Sequence, residues 1–74
     1  MSIIMIDKET VLTQFGEKLR EARVLKGLSQ EALALSLEFD RTYISMLERG
    51  KRNPSLFTIC RIADFLEIEA SDLV

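Results

Sequence analysis

An all-α fold of five helices is predicted for this 74-residue chain, and three observations predict it. Apolar residues recur at spacings of three and four, the period that lines up one face of a helix. Residues suited to capping helix N-termini, namely Asp7 or Thr10, Ser29, Asp40 and Ser55, stand just before these runs, and Gly27 and Gly50 close two of them. No internal repeat, low-complexity segment or linker divides the chain, and its length is near the lower limit at which one core suffices, so residues 1–74 are read as a single domain.

The first helix carries Leu12, Phe15, Leu19, Ala22 and Arg23 on its core side, ends at Gly27, and lets Leu28 tuck in before the Ser29 cap. Gly16 inside it lowers helix propensity by about 1 kcal/mol, which close approach of another helix explains better than a break. Residues 1–6 are read either as a frayed tail or as an apolar arm that covers the core or a partner. A second helix begins after Ser29, with Gln30 and Glu31 in its first turn, carries Ala32, Leu33, Leu35, Ser36 and Leu37, and ends near Leu37. After the bend Glu38-Phe39-Asp40, a third helix presents Ile44 and Leu47, with or without Tyr43, on its apolar face and stops at Gly50. The tight junction of these two short helices makes residues 29–49 a helix-turn-helix.

Asn53-Pro54-Ser55 reads as a turn, and Leu56, Ile59, Ile62, Ala63 and Leu66 trace one side of a fourth helix that completes the core. Cys60, among Ile59, Ile62 and Ala63, is expected to be a small buried hydrophobe. Phe57, Phe65 and Ile68 do not fit the same narrow stripe; such apolar surplus points to an interface. A short fifth helix, Ala70 to Leu73, follows, and the chain ends at Val74.

Composition narrows the function. With no histidine and no cysteine–histidine grouping, the chain lacks a histidine base and the usual zinc ligands, so no enzyme, metal or cofactor is expected. The apolar opening Met1–Ile6 lacks the basic start and cleavage site of a signal peptide, and no stretch approaches the roughly 20 apolar residues of a membrane helix. A soluble cytoplasmic protein without a membrane partner or small-molecule ligand is the expectation. Net charge is −2, against a surface basic all over, but residues 41–53 carry four basic residues and one acidic.

The run from Phe15 to Leu73 resembles the lambda-repressor-like (Xre-type) helix-turn-helix regulators. Ala34 stands where that pattern needs a small residue, Ile44 where it needs a β-branched one, and Glu48 with Gly50 match its E-x-G. Glu38 departs from it, since that turn position usually holds glycine at positive φ; a strain of roughly 1 kcal/mol is implied. Within the family, Asp40–Ser45 and Glu48–Leu56 are most similar to the controller proteins of restriction-modification systems. The resemblance implies a compact five-helix DNA-binding domain whose second motif helix enters the major groove.

On that basis Arg41, Thr42, Ser45 and Met46 are candidate base contacts. The arginine fork suits guanine, and the methyls of Thr42 or Met46 suit a thymine methyl. Gln30, Tyr43, Arg49, Lys51, Arg52 and Asn53 are candidate backbone contacts; Gln30 stands at a helix N-terminus that favours phosphate. For Tyr43 the rival is a partly buried packing role, and for Arg52 the resemblance adds a reach into the minor groove. It also pairs Arg23 with Glu48 as a structural ion pair.

One reading helix covers only a few base pairs, so a homodimer on a palindromic operator is expected, with Phe57, Phe65, Ile68, Leu73 and Val74 as its interface. The leading reading is a transcriptional regulator on double-stranded operator DNA that acts as a restriction-modification controller. An antitoxin or a small phage repressor would share this fold, and a protein-interaction module without DNA binding is the reading from another class.

Overall fold

The computed structural model describes residues 6–74. The choice between tail and arm for residues 1–6 lies outside these, apart from Ile6, which is exposed. Four α-helices follow one another, α1 Lys8–Leu25, α2 Gln30–Leu37, α3 Arg41–Glu48 and α4 Leu56–Leu66, and no strand occurs among the described residues. The expected fifth helix is a single 3-10 turn, Ala70–Asp72. Its two backbone bonds each span three residues, Asp72 N–H to Glu69 O and Leu73 N–H to Ala70 O, and Leu73 is then drawn straight into the core.

All four helices start and stop by the same two devices. At each N-terminus an oxygen of the capping side chain accepts a backbone N–H the helix cannot satisfy: Asp7 from Thr10, Ser29 from Ala32, Asp40 from Thr42 and Ser55 from Thr58. At each C-terminus one residue turns left-handed and the next N–H reaches back five residues. These bonds run Leu28 to Arg23, Phe39 to Ala34, Lys51 to Met46 and Ile68 to Ala63. Glycine supplies the left-handed residue at Gly27 and Gly50, and glutamate supplies it at Glu38 (φ 59°) and Glu67 (φ 60°). The resemblance foresaw the first of these glutamates; the second carried no sequence signal.

The core gathers Phe15 and Leu19 from α1, Leu33, Ala34 and Leu37 from α2, Ile44 and Leu47 from α3, Ile62, Ala63 and Leu66 from α4, and Leu73. Leu28, Phe39 and Ile68, each just past a left-handed stop, pack against it. Gly16 lies where α1 crosses the end of α3, the close approach its position implied.

Three expectations need correction. Leu73 is 0% exposed, so it is a core residue and not free to form a dimer interface. Cys60 is exposed, because it lies about 100° around α4 from Ile59, off the inward side. Leu56, first residue of α4, is 73% exposed because it lies beyond the core's edge.

Candidate nucleic-acid interface

Ile44 and Leu47, both fully buried, anchor α3 from behind and thereby fix which residues face out. Arg41 and Thr42 are exposed, Ser45 and Met46 half-buried. Arg41, Thr42 and Ser45 line one shallow hollow at the N-terminal half of the helix. Asp40 holds this end in register, its carboxylate accepting the Thr42 N–H at 2.8 Å. The structure therefore brings the four candidate base contacts to one side of one helix.

At the other end of α3, Glu48 is directed inward. Its carboxylate accepts Arg23 Nε at 2.6 Å and Nη2 at 3.0 Å, a bidentate pair with side chains only 10% and 3% exposed. Arg23 Nη1 also donates to the Leu28 carbonyl at 2.7 Å, so the guanidinium ties α1, the stop after it and α3 together. Hydrogen bonding to Glu48 raises the Arg23 pKa above its ordinary value, although burial pulls the other way. Gln30 completes the cluster: its amide donates to Glu48 Oε1 at 3.1 Å, which ties the first residue of α2 to the last of α3. Among the described residues no buried side-chain nitrogen or oxygen lacks a partner.

The charge of the segment changes its meaning with this geometry. Glu48 is the only acidic residue between Arg41 and Asn53, and it is neutralised inside by Arg23. Arg41, Arg49, Lys51 and Arg52 are all exposed, and neither ion pair among the described residues uses them. The outward field is more positive than residue counting gives.

Tyr43 is half-buried and packs its ring against Phe39 at 5.2 Å with the planes 69° apart, an edge-to-face contact. On the Tyr43 ring lies the Arg52 guanidinium, 5.2 Å from the centroid. Tyr43 therefore has the packing role, one of the two alternatives open in the sequence, and its ring face also meets Arg52. The Phe39 ring carries a second guanidinium, that of Arg61 from α4, at 5.1 Å. Sequence reasoning missed Phe39 and Arg61. An arginine set within the apolar run Ile59–Ala63 was the available signal.

Of the dimer candidates, Phe57 and Val74 are 73% and 67% exposed, and Phe65 and Ile68 are half-buried. No helix of the described residues is long and apolar enough to cross a membrane.

Residues 19–73 match the helix-turn-helix family. The control protein C.BamHI of Bacillus amyloliquefaciens is 46% identical over 61 residues, which cover 81% of this chain and 75% of that protein. Among solved structures, the restriction-modification controller protein C.AhdI from Aeromonas hydrophila superposes with a TM-score of 0.83 at 48% identity, over 88% of this chain and 98% of that one. The controller protein C.Esp1396I, solved as a tetramer in complex with its natural 35 base-pair operator, gives a TM-score of 0.72 at 36% identity, over 80% and 78% of the two chains.

Proposed function

This chain belongs to the helix-turn-helix family of DNA-binding regulators, and we propose that within it the protein is a restriction-modification controller that binds a palindromic operator as a homodimer. One observation carries the DNA reading: α3 turns its only acidic side chain inward onto Arg23 while Arg41, Thr42 and Ser45 line an open hollow beside unpaired cations. Such a helix suits the major groove, whose base edges its N-terminal residues would meet. Arg41 reads guanine, Thr42, Ser45 and Met46 read neighbouring bases, and Arg49, Lys51, Arg52 and Asn53 follow the flanking backbone. Gln30 presents the N-terminus of α2 to a phosphate, with its side chain steadied by Glu48.

Two copies, paired through Phe57, Phe65, Ile68 and Val74, would read two half-sites about 10 base pairs apart. The apolar surplus at the α4 end supports that pairing, and the protein would act in the cytoplasm. Selection of duplexes from a randomised library by the purified protein tests the reading. An enriched palindrome with that spacing is expected; recovery of no enriched sequence at low salt would refute it. Gene neighbours test the controller role separately: a methyltransferase and a nuclease are expected beside this gene, whereas a toxin gene or phage genes would replace that role with the antitoxin or the phage-repressor one.

A further inference from the structure

We propose that Arg61, on α4, is a positioning residue for the DNA face, acting through Phe39 and Tyr43 on Arg52. The inference rests on the DNA reading above. Arg61 does not extend into solvent. It crosses to the turn between α2 and α3, where Nη2 donates to the Leu37 carbonyl at 3.0 Å and the guanidinium covers the Phe39 ring. Leu37 is the last residue of α2, so its carbonyl has no partner within the helix, and a cation there meets the negative end of the helix dipole. α2 has no basic residue of its own in its last turn, and its left-handed stop is Glu38, which adds a carboxylate at the same end. Arg61 supplies from another helix what the turn lacks.

From that clamp the contacts run outward. Phe39 is only partly buried, so core packing alone does not fix its ring. With Arg61 on it, the ring has a set plane against which Tyr43 packs edge-to-face, and Tyr43 in turn offers a face to Arg52. Arg52 lies on an exposed segment after α3, where a free arginine would sample many rotamers. Two cations thus bracket two rings, and the inner cation restricts the outer one.

The test compares Arg61→Met, which keeps an unbranched stem but no charge or fork, with Arg61→Lys and Phe39→Leu. In the free protein, the Arg52 side-chain δ protons report the Tyr43 ring current by NMR. They should move toward random-coil values in Arg61→Met and in Phe39→Leu, and only part of the way in Arg61→Lys. On a duplex selected by the unmodified protein from a randomised library, Arg52→Ala should weaken binding about five- to tenfold in the native background. In the Arg61→Met background it should weaken binding less than twofold, which is the coupling a double-mutant cycle reads.

Adding Glu38→Gly separates positioning from capping. It should restore the melting temperature of Arg61→Met but neither the Arg52 shifts nor the coupling. Unchanged Arg52 shifts with additive losses of affinity would overturn the proposal, as would full recovery of both by Glu38→Gly. If Arg61→Met does not fold, Arg61→Lys and Phe39→Leu carry the same two measurements. If no duplex is selected, the DNA reading fails by itself, and the shifts in the free protein still decide whether Arg61 sets Arg52.

Discussion

A β-carbon on Gly16 would stand 2.4 Å from the backbone carbonyl oxygen of Glu48 and 2.6 Å from that of Leu47, so α1 and the end of α3 meet backbone to backbone. This crossing sets the height at which the reading helix rides, since Glu48 closes α3 and Arg23, two turns along α1, grips its side chain. Gly16→Ala pits two effects against each other. Alanine improves helix propensity by about 1 kcal/mol, but its methyl meets fixed carbonyl groups and forces the helices apart, an overpacking that costs roughly 1–3 kcal/mol or more. The clash should win. Thermal denaturation is expected to show a net loss of stability, and a rise in melting temperature would mean that the two helices separate freely.

Glu48→Ala is expected to be a folding mutant, destabilising by about 3 kcal/mol or more, because it leaves the Arg23 guanidinium buried and without a carboxylate. Gln30 loses its partner in the same step, so α2 and α3 come apart at their near ends. The Arg23→Met, Glu48→Ala double should recover part of the loss, and strict additivity in the cycle would mean that the pair does not interact. The sign of the pH effect follows from the raised Arg23 pKa. Its contribution is fully present below the ordinary arginine range and is lost only as pH rises through the higher folded value. No part of it should disappear between neutral and mildly alkaline conditions.

Glu38 and Glu67 occupy the same left-handed stop, yet glycine should help them unequally. Glu38→Gly removes the strain of a side chain at positive φ and a carboxylate from a helix C-terminus, a gain of about 1 kcal/mol. Glu67→Gly relieves the same backbone but breaks the exposed pair between Glu67 and Lys26, so its gain should be smaller at neutral pH. The hydrogen bond from Lys26 lowers the Glu67 pKa. The pair's contribution is therefore present above the ordinary carboxylate range and fades as pH falls through the lowered value. Melts at neutral and acid pH should show the two variants converging on acidification; a constant gap would mean that the Lys26 pair contributes nothing.

Arg41→Ala should lower specific affinity by about 1–3 kcal/mol and relax the preference at one base pair, as loss of a bidentate base contact does. Lys51→Ala should weaken all sequences alike and make the salt dependence shallower by nearly one unit of slope. Binding selection with each variant, together with a salt titration, distinguishes the two. An unchanged base preference after Arg41→Ala would remove it from the reading surface.

Local signals located the helices well, because caps and apolar periods act within a few residues. Ser29, Asp40 and Ser55 all cap where their positions implied, and Gly16 marks a real crossing. Burial on short helices was less legible. Cys60 was misplaced because one step along a helix swings a side chain through about 100°, and only the packed neighbours decide which step points inward; Leu73 was misplaced because the expected fifth helix is a 3-10 turn that delivers it into the core. The contacts of Arg61 were hidden for another reason: they join residues distant in sequence, and a charged residue within an apolar run announces no partner.

Moving Leu73 from the interface to the core turns one expectation into two that can be told apart. Leu73 is fully sequestered, so Leu73→Ala should behave as a core truncation and cost about 2–5 kcal/mol whatever the state of association. Phe57 is 73% exposed and projects from the outward side of α4, away from the core residues Ile62, Ala63 and Leu66. Phe57→Glu should therefore leave the monomer's stability within about 0.5 kcal/mol of the native value, while placing a like charge at every copy of the paired surface. By two-fold symmetry one substitution enters the interface twice, which makes dissociation sensitive to it. Sedimentation should find Phe57→Glu folded and monomeric at a concentration where the unmodified protein is dimeric, with loss of cooperative binding to a two-half-site duplex. If Phe57→Glu dimerises as tightly as the unmodified protein, α4 is not the pairing surface, and the exposed apolar face of the α4 end needs another occupant.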